Sequence, residues 1–165
     1  MSAGVRLKAT RHAISACRPL IGIIQDHYGL PHGFWDNEFV LGFFHFMIGF
    51  HLTNAPGEPL STEDKGIAQF DSFTTLSGRN GNSLAMRCHA LSTQSPQNEL
   101  FECGANNAAM IAVYVFGELK RDQRTAPWLD RAEQMSAASG EPIGTSLMLL
   151  LYVQPIRKLF FSKVA

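Results

Sequence analysis

Histidine and carboxylate side chains are the residues of this sequence best suited to chemistry. The chain has six histidines, and imidazole and carboxylate groups on one helix face can bind a metal ion or transfer protons. Glu38 and His45 lie two turns apart on one predicted helix face, and Glu99 or Glu102 of a neighbouring helix can complete the set. One hypothesis is therefore a metal-dependent enzyme that uses these residues. The stronger motifs H-E-x-x-H and E-x-x-H are missing, which favours a hydrogen-bonded core histidine instead.

Signals for covalent catalysis are weak. Cys88 and His89 are adjacent, and adjacent side chains on a helix point about 100° apart, so the thiol and the imidazole are not expected to pair. The sequence contains no G-x-S-x-G turn, P-loop or G-x-G-x-x-G motif. It therefore predicts no catalytic residue and no cofactor, and it favours a non-catalytic protein.

The twelve phenylalanines suggest a second possibility. Aromatic side chains can line a pocket for an apolar small molecule or cofactor, although they also fill ordinary cores. The predicted pocket has His45 as its polar group and five phenylalanines as its wall, namely Phe43, Phe44, Phe46, Phe70 and Phe73. This ligand-binding hypothesis stands beside the metal-dependent one.

The elements that would position these residues are predicted to be helices. Turn-forming residues separate stretches of about 10 to 24 residues, and the alternation typical of strands is largely absent. One helix is predicted to begin after the N-cap residue Ser61 and to end at Gly78. Another is predicted to begin at Ser95-Pro96 and to run to Leu119. Further helices are predicted at about 5–28, 35–53, 81–93, 126–138 and 143–161, the last of them bent or interrupted at Pro155. The sequence thus predicts an all-α, single-domain bundle of six to seven helices over residues 1–165.

An internal repeat is a further hypothesis. A shift of 62 residues superposes Phe39 on Phe101 and Gly42 on Gly104. If the similarity is a true duplication, two pseudo-equivalent three-helix units, 35–93 and 97–161, follow an N-terminal helix at 1–30. The identities are few, so chance similarity remains the alternative.

Small residues on the two matched helices predict a close crossing. Gly42, His45 and Gly49 share one face of the first helix, and Gly104, Asn107 and Ala108 take the equivalent places on the second. Glycine within a helix costs about 1 kcal/mol relative to alanine, so these glycines need a packing reason. The buried polar side chains His45 and Asn107 are expected to hydrogen-bond to each other.

Composition indicates an interaction protein. Fourteen basic and fourteen acidic residues give zero net charge, which disfavours a nucleic-acid-coating protein. Charged residues make up 17%, against about 25% in an average soluble domain, so a partner is expected to cover some apolar surface. The leading interpretation is a non-catalytic helical interaction or assembly protein, present as a homo-oligomer or as a subunit of a complex.

Compartment and membrane signals are limited. Three cysteines without a C-x-x-C pair predict neither a disulfide framework nor a zinc site and indicate a reducing compartment, the cytoplasm or an organellar matrix. The apolar stretch from Phe39 to Leu52 is too short to cross a bilayer. The basic N-terminus and the basic, aromatic tail from Ile156 to Val164 can contact a membrane surface, but membrane binding is not expected.

Overall fold

The computed structural model describes residues 3–117 and 119–162, and this part of the chain is all-α, without a strand. The first six helices are α1 (Ala3–Tyr28), α2 (Glu38–Thr53), α3 (Thr62–Ser77), α4 (Gly81–Thr93), α5 (Glu99–Phe116) and α6 (Ala126–Ser139). Helix α7 has three segments, α-helical Ile143–Met148, π-helical Leu149–Val153 and α-helical Gln154–Phe161. A 3-10 turn, Phe34–Asp36, precedes α2. The predicted all-α class with six to seven helices is confirmed.

The chain divides into two compact units, Met1–Ala105 and Asn106–Ala165. The first unit holds α1 to α4 and the start of α5, and the second holds the rest of α5 with α6 and α7. The division lies inside α5, so it does not coincide with the gap between the predicted repeats 35–93 and 97–161.

Capping side chains fix where the helices begin. Ser61 accepts a hydrogen bond from the amide of Asp64 at 3.1 Å, and Gly78 ends α3 in the left-handed region at φ 67°. Both ends of α3 are as predicted. The predicted start of α5 is wrong, because the Asn98 side chain accepts from the Phe101 amide at 2.9 Å and the helix begins at Glu99. The Ser95–Pro96 peptide is cis and lies in the preceding turn.

Helix α2 is the central element of the first unit. Helices α1, α3 and α4 all contact it, and most of its side chains are buried. Its hydrophobic positions face every direction, which explains why the sequence of this helix is apolar all round. The Trp35 ring, from the 3-10 turn, lies 5.0 Å from the ring centroid of Phe44 and 6.2 Å from that of Phe73. These aromatic rings form the centre of the first core.

In the second unit, α6 packs on the first segment of α7. The π-helical turn of α7 comes directly before Pro155 and is buried over four of its five residues. Proline has no N–H, so Pro155 cannot donate to the carbonyl of Leu151, four residues earlier. The side chain of Asn107 in α5 donates to that carbonyl instead, with 2.8 Å between Nδ2 and the oxygen. The predicted interruption at Pro155 is therefore a π turn in which the buried Leu151 carbonyl accepts a hydrogen bond from another helix.

Within the described ranges, no helix is both long enough and apolar enough to cross a membrane. The last residues of the predicted basic tail, Lys163 and Val164, lie outside the part that the structure describes, as does residue 118 in the predicted extension of α5 to Leu119.

Candidate functional site

An open groove of about 410 Å³ lies along the C-terminal half of α2. This α2 groove is lined by His45, Phe46, Gly49, Phe50, Thr53 and Asn54. A Cβ atom on Gly49 would meet nothing within 4 Å, so this glycine leaves the floor open. The rings of Phe46 and Phe50 stack with their centroids 6.2 Å apart and 17° between their planes. The α2 groove therefore offers an aromatic wall beside an imidazole, a hydroxyl and an amide.

The imidazole of His45 is held in one tautomer. The Gln69 side-chain nitrogen of α3 lies 2.8 Å from His45 Nδ1, and an amide nitrogen can only donate, so Nδ1 accepts and the hydrogen is on Nε2. Burial lowers the pKa of His45, and the nearby His89 lowers it further. His45 thus lines the α2 groove as a neutral side chain with one N–H donor.

The structure places the five phenylalanines of the predicted pocket in different surroundings. Phe43, Phe44 and Phe73 are completely buried, since they fill the core of the first unit. Phe70 is half-buried and does not line the α2 groove, which retains His45 and Phe46 of the predicted set. The sequence reasoning missed Phe50, Thr53 and Asn54 as lining residues, together with the open position of Gly49. They lie three, four, seven and eight residues after position 46, and this helical spacing is the signal that would have found them.

The predicted metal site is not formed. In residues 3–117 and 119–162, no three histidine, cysteine or acidic side chains are grouped so that they could hold a metal ion. Glu38, His45, Glu99 and Glu102 are therefore not gathered into one site. His45 has the Gln69 amide as its neighbour in place of a carboxylate.

Buried cysteines offer no activated nucleophile. Burial raises the pKa of the Cys17 and Cys88 thiols to about 12. Cys88 donates a weak hydrogen bond from Sγ to the Leu41 carbonyl at 3.8 Å. These two thiols act as small apolar core groups that remain protonated at neutral pH.

The backbones of α2 and α5 meet at Gly42 and Gly104. A Cβ on Gly42 would lie 2.0 Å from the carbonyl oxygen of Phe101, and a Cβ on Gly104 would lie 2.0 Å from that of Phe39. Each glycine follows a phenylalanine by three residues, so each helix gives the same pair of groups to the other. The close contact is therefore reciprocal. Approach this close also brings glycine Cα–H groups against carbonyl oxygens, a weak hydrogen-bonding geometry.

The other residues predicted at this crossing have different roles. Gly49 has no atom near its missing Cβ, so it takes no part in a close contact. The predicted hydrogen bond between His45 and Asn107 is wrong, because His45 pairs with Gln69 and Asn107 donates to the Leu151 carbonyl. Ala108 is completely buried.

A histidine pair between α1 and α2 was not anticipated from the sequence. The rings of His12 and His51 meet edge to face with centroids 5.5 Å apart, and His51 is 4% exposed. Burial lowers the pKa of His51, and the neighbouring His12 lowers it further. Protonation of His51 would place a positive charge in the buried core and beside a second imidazole, and both effects oppose it.

This histidine pair predicts that acid weakens the fold. The pKa of His51 is lower in the folded state than its usual value of about 6.5, so the unfolded state binds the proton first. The free energy of unfolding should be at its full value above about pH 6.5 and decrease as the pH falls from there through the folded pKa. The lowered pKa of His45 acts in the same direction. Urea unfolding from pH 5 to 8 measures the slope.

The variant His51→Gln should reduce that slope by up to about 1.4 kcal/mol per pH unit, the value for one proton. His32→Gln, at an exposed histidine, is the matched control. Equal slopes for the wild type and His51→Gln would show that the buried ring does not control the acid response.

Comparisons with protein-family models, with curated protein sequences and with solved structures found no match for this chain.

Proposed function

We propose that the protein is a non-catalytic helical interaction protein that associates with a second copy of itself. The observation that supports this is the C-terminal end of α5, where three of the last four side chains are apolar and exposed. Val113 is 40% exposed, Val115 58% and Phe116 63%. Grouped exposed apolar side chains of this size are typical of protein interaction sites.

The charge balance argues that the partner is the same chain. With zero formal net charge, two copies do not repel each other, and a protein near zero net charge tends to associate. The low charged fraction also leaves few ionic groups to be desolvated when a surface is covered. Contact through the apolar end of α5 would then bury Phe116 and desolvate few charged groups.

The mass of the protein in solution tests self-association. Light scattering or native mass spectrometry over a range of concentrations should give a multiple of the chain mass. The double variant Val115→Glu/Phe116→Glu should give the mass of one chain, because it places two carboxylates in the proposed contact. Met86→Glu is the matched control, since Met86 is a 56% exposed apolar residue on α4. A monomeric wild type at every concentration contradicts the proposal, and a monomer produced by Met86→Glu alone contradicts the choice of surface.

A second candidate function, binding of an apolar ligand, is supported by the α2 groove. Its volume of about 410 Å³ lies in the range of about 300 to 1,000 Å³ that is usual for ligand sites. The stacked Phe46 and Phe50 can cover an apolar body, and the neutral His45 can donate to one acceptor on it, such as a carbonyl. The uncharged groove favours a neutral ligand.

Filling the α2 groove tests the second candidate. The probe is N-phenyl-1-naphthylamine, a neutral apolar dye whose fluorescence rises on binding. Gly49→Leu should abolish the rise, since a side chain at this position occupies the open floor without meeting another atom within 4 Å of Cβ. Gly66→Leu, which adds the same side chain at another open helical glycine, should leave it unchanged. No rise with the wild type, or equal rises with both variants, contradicts binding in this groove.

A further inference from the structure

A second groove, on α1, combines two arginines with an apolar floor. This α1 groove has a volume of about 610 Å³ and is lined by Arg11, Ile14, Ser15, Arg18, Pro19 and Gly22 of α1 and by Thr75 of α3. A Cβ on Gly22 would meet nothing within 4 Å, so the end of the groove is open. Neither proposed function above uses these residues.

The lining residues of α1 form one continuous face. They recur at intervals of one, three and four residues from Arg11 to Gly22, which is about 16 Å of helix at 1.5 Å per residue. The buried side of α1 is elsewhere on its circumference, at Ala13, Cys17 and Ile24. The groove face is therefore a solvent-facing surface with a defined long axis.

The two arginines carry charge that the fold does not neutralise. Arg11 and Arg18 are exposed and have no ion pair with any acidic residue in the described ranges, whereas Arg6 of the same helix pairs with Asp64 at 3.3 Å. They are seven positions apart in the sequence, about 10 Å along the helix axis, and their long side chains can reach a group above Ser15 between them. A guanidinium binds carboxylate or phosphate through two parallel hydrogen bonds.

We propose that the α1 groove binds a soluble, single-chain amphipathic anion. Its carboxylate or phosphate head lies between Arg11 and Arg18, and its hydrocarbon chain lies on Ile14, Pro19 and Gly22. Charge complementarity selects the head, and the apolar floor selects the tail.

Binding of a fluorescent fatty acid tests this proposal. The probe is 11-(dansylamino)undecanoic acid, titrated into the full chain, with decanoate as the competitor. Arg11→Gln/Arg18→Gln should weaken probe binding at least tenfold, because both partners of the head are removed. Gly22→Leu should weaken it to a similar extent by filling the floor.

The controls separate this site from general charge and from the α2 groove. Arg124→Gln/Arg131→Gln removes two exposed arginines, one in the turn before α6 and one in α6 itself. Gly49→Leu fills the α2 groove. Both variants should bind the probe with an affinity within twofold of that of the wild type. Far-UV circular dichroism verifies that each variant is folded.

Three results would overturn the proposal. The first is unchanged affinity in Arg11→Gln/Arg18→Gln and Gly22→Leu. The second is displacement of the probe by decanol as effectively as by decanoate, which would make the arginines irrelevant. The third is binding to phosphatidylserine vesicles without binding of the soluble probe, which would make α1 a membrane-contacting surface. None of these results depends on self-association through α5.

Discussion

Replacing Gly42 with alanine should destabilise the protein by about 3 kcal/mol, at the upper end of the usual cost of overpacking a core. The new Cβ would lie 2.0 Å from the Phe101 carbonyl oxygen, and this oxygen belongs to a helix backbone that cannot rotate away. Gly104→Ala should cost a similar amount, because its Cβ would meet the Phe39 carbonyl oxygen at the same distance. Urea unfolding monitored by circular dichroism measures both changes.

Gly49→Ala is the matched control for these variants. It lies on the same helix as Gly42 and has open space at Cβ, so the better helix propensity of alanine should stabilise the protein by about 0.5 to 1 kcal/mol. The double variant Gly42→Ala/Gly104→Ala should cost less than the two single changes added together, because one substitution already forces α2 and α5 apart. Full additivity, or a neutral Gly42→Ala, would contradict a direct backbone contact at this crossing.

Replacing Asn107 with alanine should cost about 2 kcal/mol. The side chain donates to the Leu151 carbonyl at 2.8 Å, and both groups are buried. Removing the donor leaves the carbonyl with fewer hydrogen bonds, at a cost of about 1 to 3 kcal/mol for a buried polar group. Asn106→Ala, at the exposed neighbouring position, should change the free energy of unfolding by less than about 0.5 kcal/mol.

A second substitution tests why Asn107 matters. Pro155→Ala restores an N–H four residues after Leu151, so the π-helical turn can return to ordinary α-helical hydrogen bonding. Asn107→Ala should therefore be less destabilising in the Pro155→Ala background than in the wild type. A double-mutant cycle of chemical unfolding measures the difference, and a coupling energy of zero would mean that the two residues act independently.

The sequence predicted the helices and the glycine positions better than the polar contacts. Capping residues such as Ser61 and turn glycines such as Gly78 act locally, so their effect can be read from neighbouring positions. A hydrogen-bond partner depends on which helices come together. His45 and Asn107 were paired with each other because they occupy matching places in the proposed repeat, yet each bonds to a third helix.

The grooves could not be predicted for a related reason. Helix α2 is apolar around its whole circumference, so its sequence does not show which phenylalanines are covered by other helices. Phe43 and Phe44 enter the core, whereas Phe46 and Phe50 line the groove beside Gly49, whose Cβ position is open. On α1 the order of the basic residues in the sequence indicates only a charged N-terminus, and the face that Arg11 and Arg18 share with Pro19 and Gly22 is visible only in the folded chain.

The reciprocal contact of Gly42 and Gly104 limits which sequence changes this crossing can accept. In many helix contacts a larger residue on one side can be offset by a smaller residue on the other. Here each glycine lies against a backbone carbonyl of the other helix, so no opposing side chain remains that could be shortened in compensation. Any substitution at either position must therefore be accommodated by movement of the helices themselves.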